Sequence, residues 1–145
     1  MAKKVFSRTP APALEYLKFS LKYLDTGHSD FELAKCCREF LACLVTEIHR
    51  YSQFTVDQFK DNDPNDWHRH KINFQSSSRT GFPQDPGTDE LWTDEAWQFA
   101  LSDDVRPPRA GWRVHGFVVG DVFYIVWLDP GHRLFPDKRY HCAQE

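Results

Sequence analysis

The run from Arg113 to Leu128 constrains this chain more than any other: Arg-Val-His-Gly-Phe-Val-Val, then Gly120-Asp121, then Val-Phe-Tyr-Ile-Val-Trp-Leu. Two alternating segments around a two-residue Gly-Asp loop specify a β-hairpin with a type I′ or II′ turn. With Val119 opposite Val122, the register pairs Val118 with Phe123, Phe117 with Tyr124 and Gly116 with Ile125. It then pairs His115 with Val126, Val114 with Trp127 and Arg113 with Leu128. Side chains alternate between the faces of a strand. One face therefore carries Val114, Val118, Phe123, Ile125 and Trp127, with Trp112 beside them, and is expected to lie under helices. The other carries Arg113, His115, Phe117, Val119, Val122, Tyr124, Val126 and Leu128.

Upstream, Leu14, Leu17, Leu21 and Leu24 stand at helical spacing and predict a helix over 13–25, with Gly27 as its C-cap. Ser29 or Asp30 would cap a second helix running to Tyr51. Its apolar face would hold Phe31, Ala34, Cys37, Leu41, Leu44, Val45 and Ile48, with Glu32 in the first turn. A short third helix is expected at 55–60, and an acidic, turn-rich connector follows at 61–66. Ile72 and Phe74 mark a first strand, and Trp97, Phe99 and Leu101 a second. The polar segments 76–90 and 102–111 join the strands, the first long enough for a lid. Helices first and strands later predict one α+β domain over 1–145, with N-terminal helices packed on one face of a small antiparallel sheet. Residues 1–12 form a tail, 13–60 the helical part and 67–135 the sheet part.

A chain of 145 residues buries roughly 70% of its unfolded surface, so it needs no covalent staples. The net charge of −3 argues against a general nucleic-acid coat or an anionic-membrane binder, though a local basic patch is compatible with it. No apolar run reaches the length of about 18 residues that a membrane span requires. Cys36, Cys37 and Cys43 fall in one predicted helix, and no Cys-x-x-Cys pair exists. Thiols in a reducing cytoplasm are therefore expected, rather than a disulfide framework or a zinc knuckle. The basic first residues have no apolar stretch behind them and read as a tail, not a secretion signal. Phosphate-binding and nucleophile-elbow motifs are lacking, and no cofactor is expected.

Arg113 and His115 share a strand face, with Tyr124 diagonal to His115 and within reach of it. Arg binds phosphate in a bidentate way, His is the natural acid or base near neutral pH, and Tyr donates or stacks. A histidine hydrogen-bonded in the core or lying on the surface would give the same letters. Asp129-Pro130-Gly131-His132 is a turn in which Asp129 serves as the cap, while His132 and Arg133 at the sheet exit can reach over a cleft. Lys138-Arg139-Tyr140-His141 can grip RNA by phosphate contacts and stacking, or be a solvated end. Asp66, His68 and His70 share a side if extended and could ligate a metal. A solvated strand entry explains them as well, and no metal is assigned.

The pattern Arg113-x-His115-Gly116-x6-Phe123-Tyr124-x4-Asp129-x2-His132, followed by the basic aromatic tail, resembles RelE/HigB-like toxins of toxin–antitoxin modules over roughly the last 35 residues. That resemblance implies a small cytosolic endoribonuclease that cuts mRNA, often on the ribosome, and is neutralised by an antitoxin. It implies His115 and His132 as an acid–base pair, Arg113 and Arg133 against the phosphorane charge, and Tyr124 stacking or donating. Arg133, Lys138, Arg139 and Tyr140 would bind substrate. The alternative is a non-enzymatic interaction module, antitoxin-like or a phage or defence-system partner. It would dock through the hairpin face and the long loop, with Trp92, Phe117 and Tyr124 as anchors. The acidic net charge favours the module, and the convergence of Arg113, His115 and Tyr124 favours the enzyme.

Overall fold

A computed structural model describes residues 15–27, 31, 33–61, 68–79, 81–83, 91–92, 95–101, 111–131 and 134. The hairpin dominates it. Strand β6 (Arg113–Val119) and strand β7 (Val122–Asp129) pair antiparallel around Gly120-Asp121. Gly120 takes the positive φ, 61°, that either turn type asks of its first position. Around the hairpin, β1 (Lys18–Ser20), β2 (Arg69–Lys71) and β5 (Ala96–Ala100) complete a five-stranded sheet in the order β1-β7-β6-β5-β2. Residues Trp97 and Phe99 lie in a strand, as their alternation predicts.

The sheet is mixed rather than antiparallel, because β1 runs parallel to β7. The helix expected over 13–25 does not form across the described part of that span. Leu17 and Phe19 alternate with Lys18 along an extended segment. Leu17 is buried, and Phe19 packs on Phe99 and Phe123, whereas Leu21 is 60% exposed. The open edge of β7 offers backbone partners and an aromatic face together, and this outweighs a leucine spacing that a helix would also use. Tyr16 bridges to Thr55, and Leu17 donates its backbone N–H to the Phe54 carbonyl. The segment thus ties the sheet edge to the helical layer.

Helix α1 begins at Arg38 and ends at Tyr51, preceded by a 3-10 turn at Leu33–Lys35. The side chain of its N-cap, Cys37, does not cap the helix, and the expected caps Ser29 and Asp30 lie outside the described residues. The buried stripe is Phe40, Leu44 and Tyr51, with Leu41 and Val45 facing out. Both stripes satisfy helical spacing. The one chosen buries two aromatic side chains, which conceal roughly 150–250 Å² each. Helix α2 (Val56–Lys60) has a capping box between Thr55 and Gln58 and lies where the sequence puts it. Arg69 closes its other end, donating to the Phe59 and Gln58 carbonyls at 2.8 and 3.1 Å.

Both helices cover one face of the sheet, packing Phe40, Leu44, Tyr51 and Phe59 against Trp97, Phe99, Val114, Val118, Phe123, Ile125 and Leu128. The opposite face is covered too, by Phe31, Ile72, Phe82 and Leu134. The strand expected around Ile72 and Phe74 lies slightly earlier, at Arg69–Lys71, and Phe74–Ser76 is a 3-10 turn. The long connector is not wholly irregular: β3 (Phe82–Pro83) pairs antiparallel with β4 (Leu91–Trp92). No helix among the described residues is long and apolar enough to cross a membrane.

Candidate functional site

The hairpin keeps the expected register from the turn to Gly116 opposite Ile125 and then slips by one residue. His115 faces Trp127, Val114 faces Leu128 and Arg113 faces Asp129, which leaves Val126 as the extra residue of a β-bulge. The bulge exchanges faces along the end of β7. Trp127, expected under the helices, lies on the His115 side, and Leu128 takes its place in the helix-covered core. Asp129 arrives on the same face as His115.

Two local features hold the slip. A Cβ built on Gly116 would sit 2.1 Å from the Tyr124 carbonyl oxygen and 2.5 Å from Phe123 Cε1, so no other residue fits there. On the partner strand, the Val126 carbonyl accepts from the Asp25 N–H at 2.9 Å, and the Asp25 carboxylate accepts from Trp127 Nε1–H at 3.1 Å. A glycine inside an alternating strand is the sequence signal that marks such a place. It went unused in the expected register.

His115 Nε2 lies 2.9 Å from Asp129 Oδ2. The same oxygen accepts the backbone N–H of Leu134 at 3.0 Å. His115 and Asp129 are 0% and 1% exposed. A carboxylate oxygen can only accept, so Nε2 carries the proton and Nδ1 of the neutral ring is an acceptor. That Nδ1 is buried and has no hydrogen-bond partner among the described residues. Burial pushes the imidazole below the ordinary histidine range. The hydrogen bond and charge of Asp129 oppose this in part, while Arg113 and His70 reinforce it.

The ladder extends the polar group across the sheet. Gln98 on β5 is opposite His115, and His70 on β2 is opposite Gln98. Gln98 Nε2 lies 2.7 Å from His70 Nε2, and His70 Nδ1 lies 2.8 Å from the Lys71 carbonyl. The row His70, Gln98, His115, Asp129 thus crosses four strands within an otherwise apolar layer. Phe31 closes over it, stacked on Trp127 at 4.6 Å and edge-on to His115 at 6.2 Å.

Of the candidate residues, His115 is central, joined to Asp129, which sequence reasoning had used only as a turn cap. Arg113 is half-buried and donates to the Trp112 carbonyl at 3.0 Å. Tyr124 does not join them: it stacks on Phe117 at 5.2 Å and meets Tyr23 edge-on at 5.1 Å. Gln98 was missed because a lone polar residue in a strand reads as a solvent-facing position. His132, Arg133, Lys138, Arg139 and Tyr140 lie outside the described residues, as does Asp66. Among the described residues no group of three or more His, Cys, Asp or Glu side chains could hold a metal ion. Cys36, Cys37 and Cys43 carry thiols. No family model, curated protein or solved structure matches this chain.

Proposed function

We propose that the protein cleaves RNA by acid–base catalysis, with His115 as the base. The observation that carries this reading is the buried imidazole whose Nε2–H is held by Asp129 and whose Nδ1 lone pair is uncommitted. A base of this form takes the 2′-hydroxyl proton, and the adjacent carboxylate stabilises the imidazolium that results. The 2′-oxygen then attacks phosphorus and the 5′-oxygen leaves, giving a 2′,3′-cyclic phosphate and a 5′-hydroxyl. Arg113 supplies positive charge beside the site, and the resemblance to RelE/HigB-like toxins assigns the leaving-group proton to His132. Phe31 must swing aside for a phosphodiester to reach Nδ1.

The test is mapping of RNA ends after incubation with purified protein, wild type beside His115→Ala. New 5′-hydroxyl ends made by wild type and lost in the variant support the reading. Uncut RNA, or equal cutting by a folded variant, sinks it. A Phe31→Ala variant separates inaccessibility from inactivity, because it uncovers the imidazole without touching it.

A second reading, a protein-interaction module with an antitoxin-like partner, is favoured by Leu41 and Val45. These sit one turn apart on α1 with 37% and 66% exposure. Under it, Leu41→Glu with Val45→Glu releases the partner and His115→Ala does not.

A further inference from the structure

Phe31 fills a place that another flat ring could take. Its ring is stacked on the Trp127 indole, with 4.6 Å between centroids and 21° between planes. The Arg79 guanidinium carbon stands 5.6 Å from the centre of the same ring. An indole and a guanidinium about one ring are the kind of partners on which unpaired nucleobases stack. Each wall has supports other than Phe31. Trp127 Nε1–H donates to the Asp25 carboxylate at 3.1 Å, and the indole meets Phe82 edge-on at 4.9 Å. The Arg79 N–H donates to Ser77 Oγ at 3.2 Å, and its guanidinium to the Ser78 carbonyl at 3.1 Å. One residue joins this turn to the His115–Asp129 pair. Leu134 accepts the Ser78 N–H at 2.8 Å and donates its own N–H to Asp129 Oδ2 at 3.0 Å. Phe31 is edge-on to His115 at 6.2 Å, so a ring that replaces it lies beside the imidazole.

We propose that Trp127 and Arg79 form a nucleobase-binding slot beside His115, which Phe31 occupies as an internal stand-in until a single strand of nucleic acid displaces it. This rests on the acid–base reading of His115 given above and names the part of the substrate that the site holds. The incoming base stacks on the indole as Phe31 does, and the guanidinium packs on it through a cation–π contact. The place vacated is that of one six-membered ring, which suits a pyrimidine. The same displacement that seats the base uncovers the imidazole, so binding and exposure of the base catalyst are one event.

The aromatic layer does not stop at the slot. Phe82 also meets Phe117 at 6.3 Å, and Phe117 stacks on Tyr124 at 5.2 Å. Tyr23 is edge-on to Tyr124 at 5.1 Å, and the Lys22 ammonium stands 5.2 Å from the Tyr23 ring. Tyr23 and Tyr124 are half-buried, which leaves a stacking surface and a cation for the neighbouring nucleotide. A second stacking surface with its own cation favours a nucleic-acid strand over a single aromatic side chain of a protein partner.

The probe is a fluorescent oligothymidylate, which lacks the 2′-hydroxyl and so is not cut, beside an abasic strand of the same length. Binding to the full chain is read by anisotropy and by the Trp127 indole N–H in 1H–15N spectra. The wild type is expected to bind oligothymidylate more tightly than the abasic strand, with a shift of the Trp127 signal. Phe31→Ala is expected to bind it at least about tenfold more tightly, because the competing ring no longer fills the slot. Arg79→Ala is expected to bind it about tenfold more weakly. Equal binding of the two strands, an unmoved Trp127 signal, or no gain in a folded Phe31→Ala overturns the proposal. Uptake of benzyl alcohol by Phe31→Ala without that gain marks an ordinary apolar cavity and overturns it too. If Phe31→Ala does not fold, the base dependence and Trp127 shift of the wild type, and their weakening in Arg79→Ala, decide alone. Mapping of RNA ends is read separately. Base-dependent binding with uncut RNA overturns only the enzymatic reading, and cut RNA without base-dependent binding overturns only the slot.

Discussion

The Nε2 of His115 and the Oδ2 of Asp129, 2.9 Å apart, meet across β6 and β7 because one extra residue, Val126, turns the end of β7 over. In the unbulged register Leu128 would face Arg113, and Asp129 would lie beyond the last pair. The bulge is therefore the device that converts a turn residue into the partner of a buried imidazole.

Removing the carboxylate leaves His115 Nε2–H and the Leu134 N–H buried without an acceptor. Asp129→Ala is expected to cost about 3 kcal/mol, since hydrogen bonds to charged groups are worth roughly 1.5–3 kcal/mol and each orphaned donor adds its desolvation penalty. Urea unfolding followed by tryptophan fluorescence measures it. A loss below about 1 kcal/mol would mean the pair contributes little.

Gly116→Ala tests the bulge. Its methyl would occupy the position of the Tyr124 carbonyl, which is backbone and cannot rotate away. The expected cost is about 3 kcal/mol or more, at or beyond the upper end for overpacking. At Gly120 a Cβ meets open space and only the positive φ penalises it, so Gly120→Ala should cost about 1 kcal/mol. Thermal melts of the two variants side by side check the order.

The lowered proton affinity of His115 makes stability pH-dependent with a definite sign. Below the ordinary histidine pKa of about 6.5, the unfolded chain binds a proton that the folded chain resists. This contribution is fully present above that pH and is lost as pH falls toward the folded value. One proton gives a slope of at most about 1.4 kcal/mol per pH unit. Between pH 7 and pH 5, His115→Gln should lose less stability than the wild type, as chemical denaturation at each pH would show.

Arg69 stacks over the rings of Tyr51, Phe54 and Phe59 at 5.4–5.8 Å while capping α2. Arg69→Ala is expected to cost about 2 kcal/mol from its two charge-assisted hydrogen bonds. Arg69→Lys should recover little of it, because an ammonium cannot span two carbonyls as a guanidinium fork does. Calorimetry on the three proteins tests this.

Leu41→Glu and Val45→Glu remove little packing, since neither side chain belongs to the buried core and Val45 is 66% exposed. Each is expected to change stability by less than about 0.5 kcal/mol. A larger loss in the melting curve would mean that this face is covered in solution.

Much of the fold was legible because its signals are local. Gly120-Asp121 dictates the turn, Thr55 and Gln58 dictate the start of α2, and alternation at Trp97 and Phe99 dictates β5. Leu17 and Phe19 were illegible as a strand because their neighbours supply leucines at helical spacing. Only the free edge of β7 and the rings of Phe99 and Phe123 decide against it. The expectation that Leu41 and Val45 belong to the core face of α1 failed for the same reason, since two stripes are apolar and the sheet selects the one with Phe40.

The candidate site divides in the same way. By itself the sequence determined that His115 lies in a hairpin strand four residues ahead of the turn, and that Gly116 beside it is anomalous. Whether His115 meets a carboxylate depends on the register past Gly116. Register is a property of two strands and of what clamps them, here the Asp25 N–H on the Val126 carbonyl and the stacking of Phe31 on Trp127. Alternation has a period of two, so a single inserted residue reverses every later side chain. Only the tertiary structure could decide that Asp129 points inward.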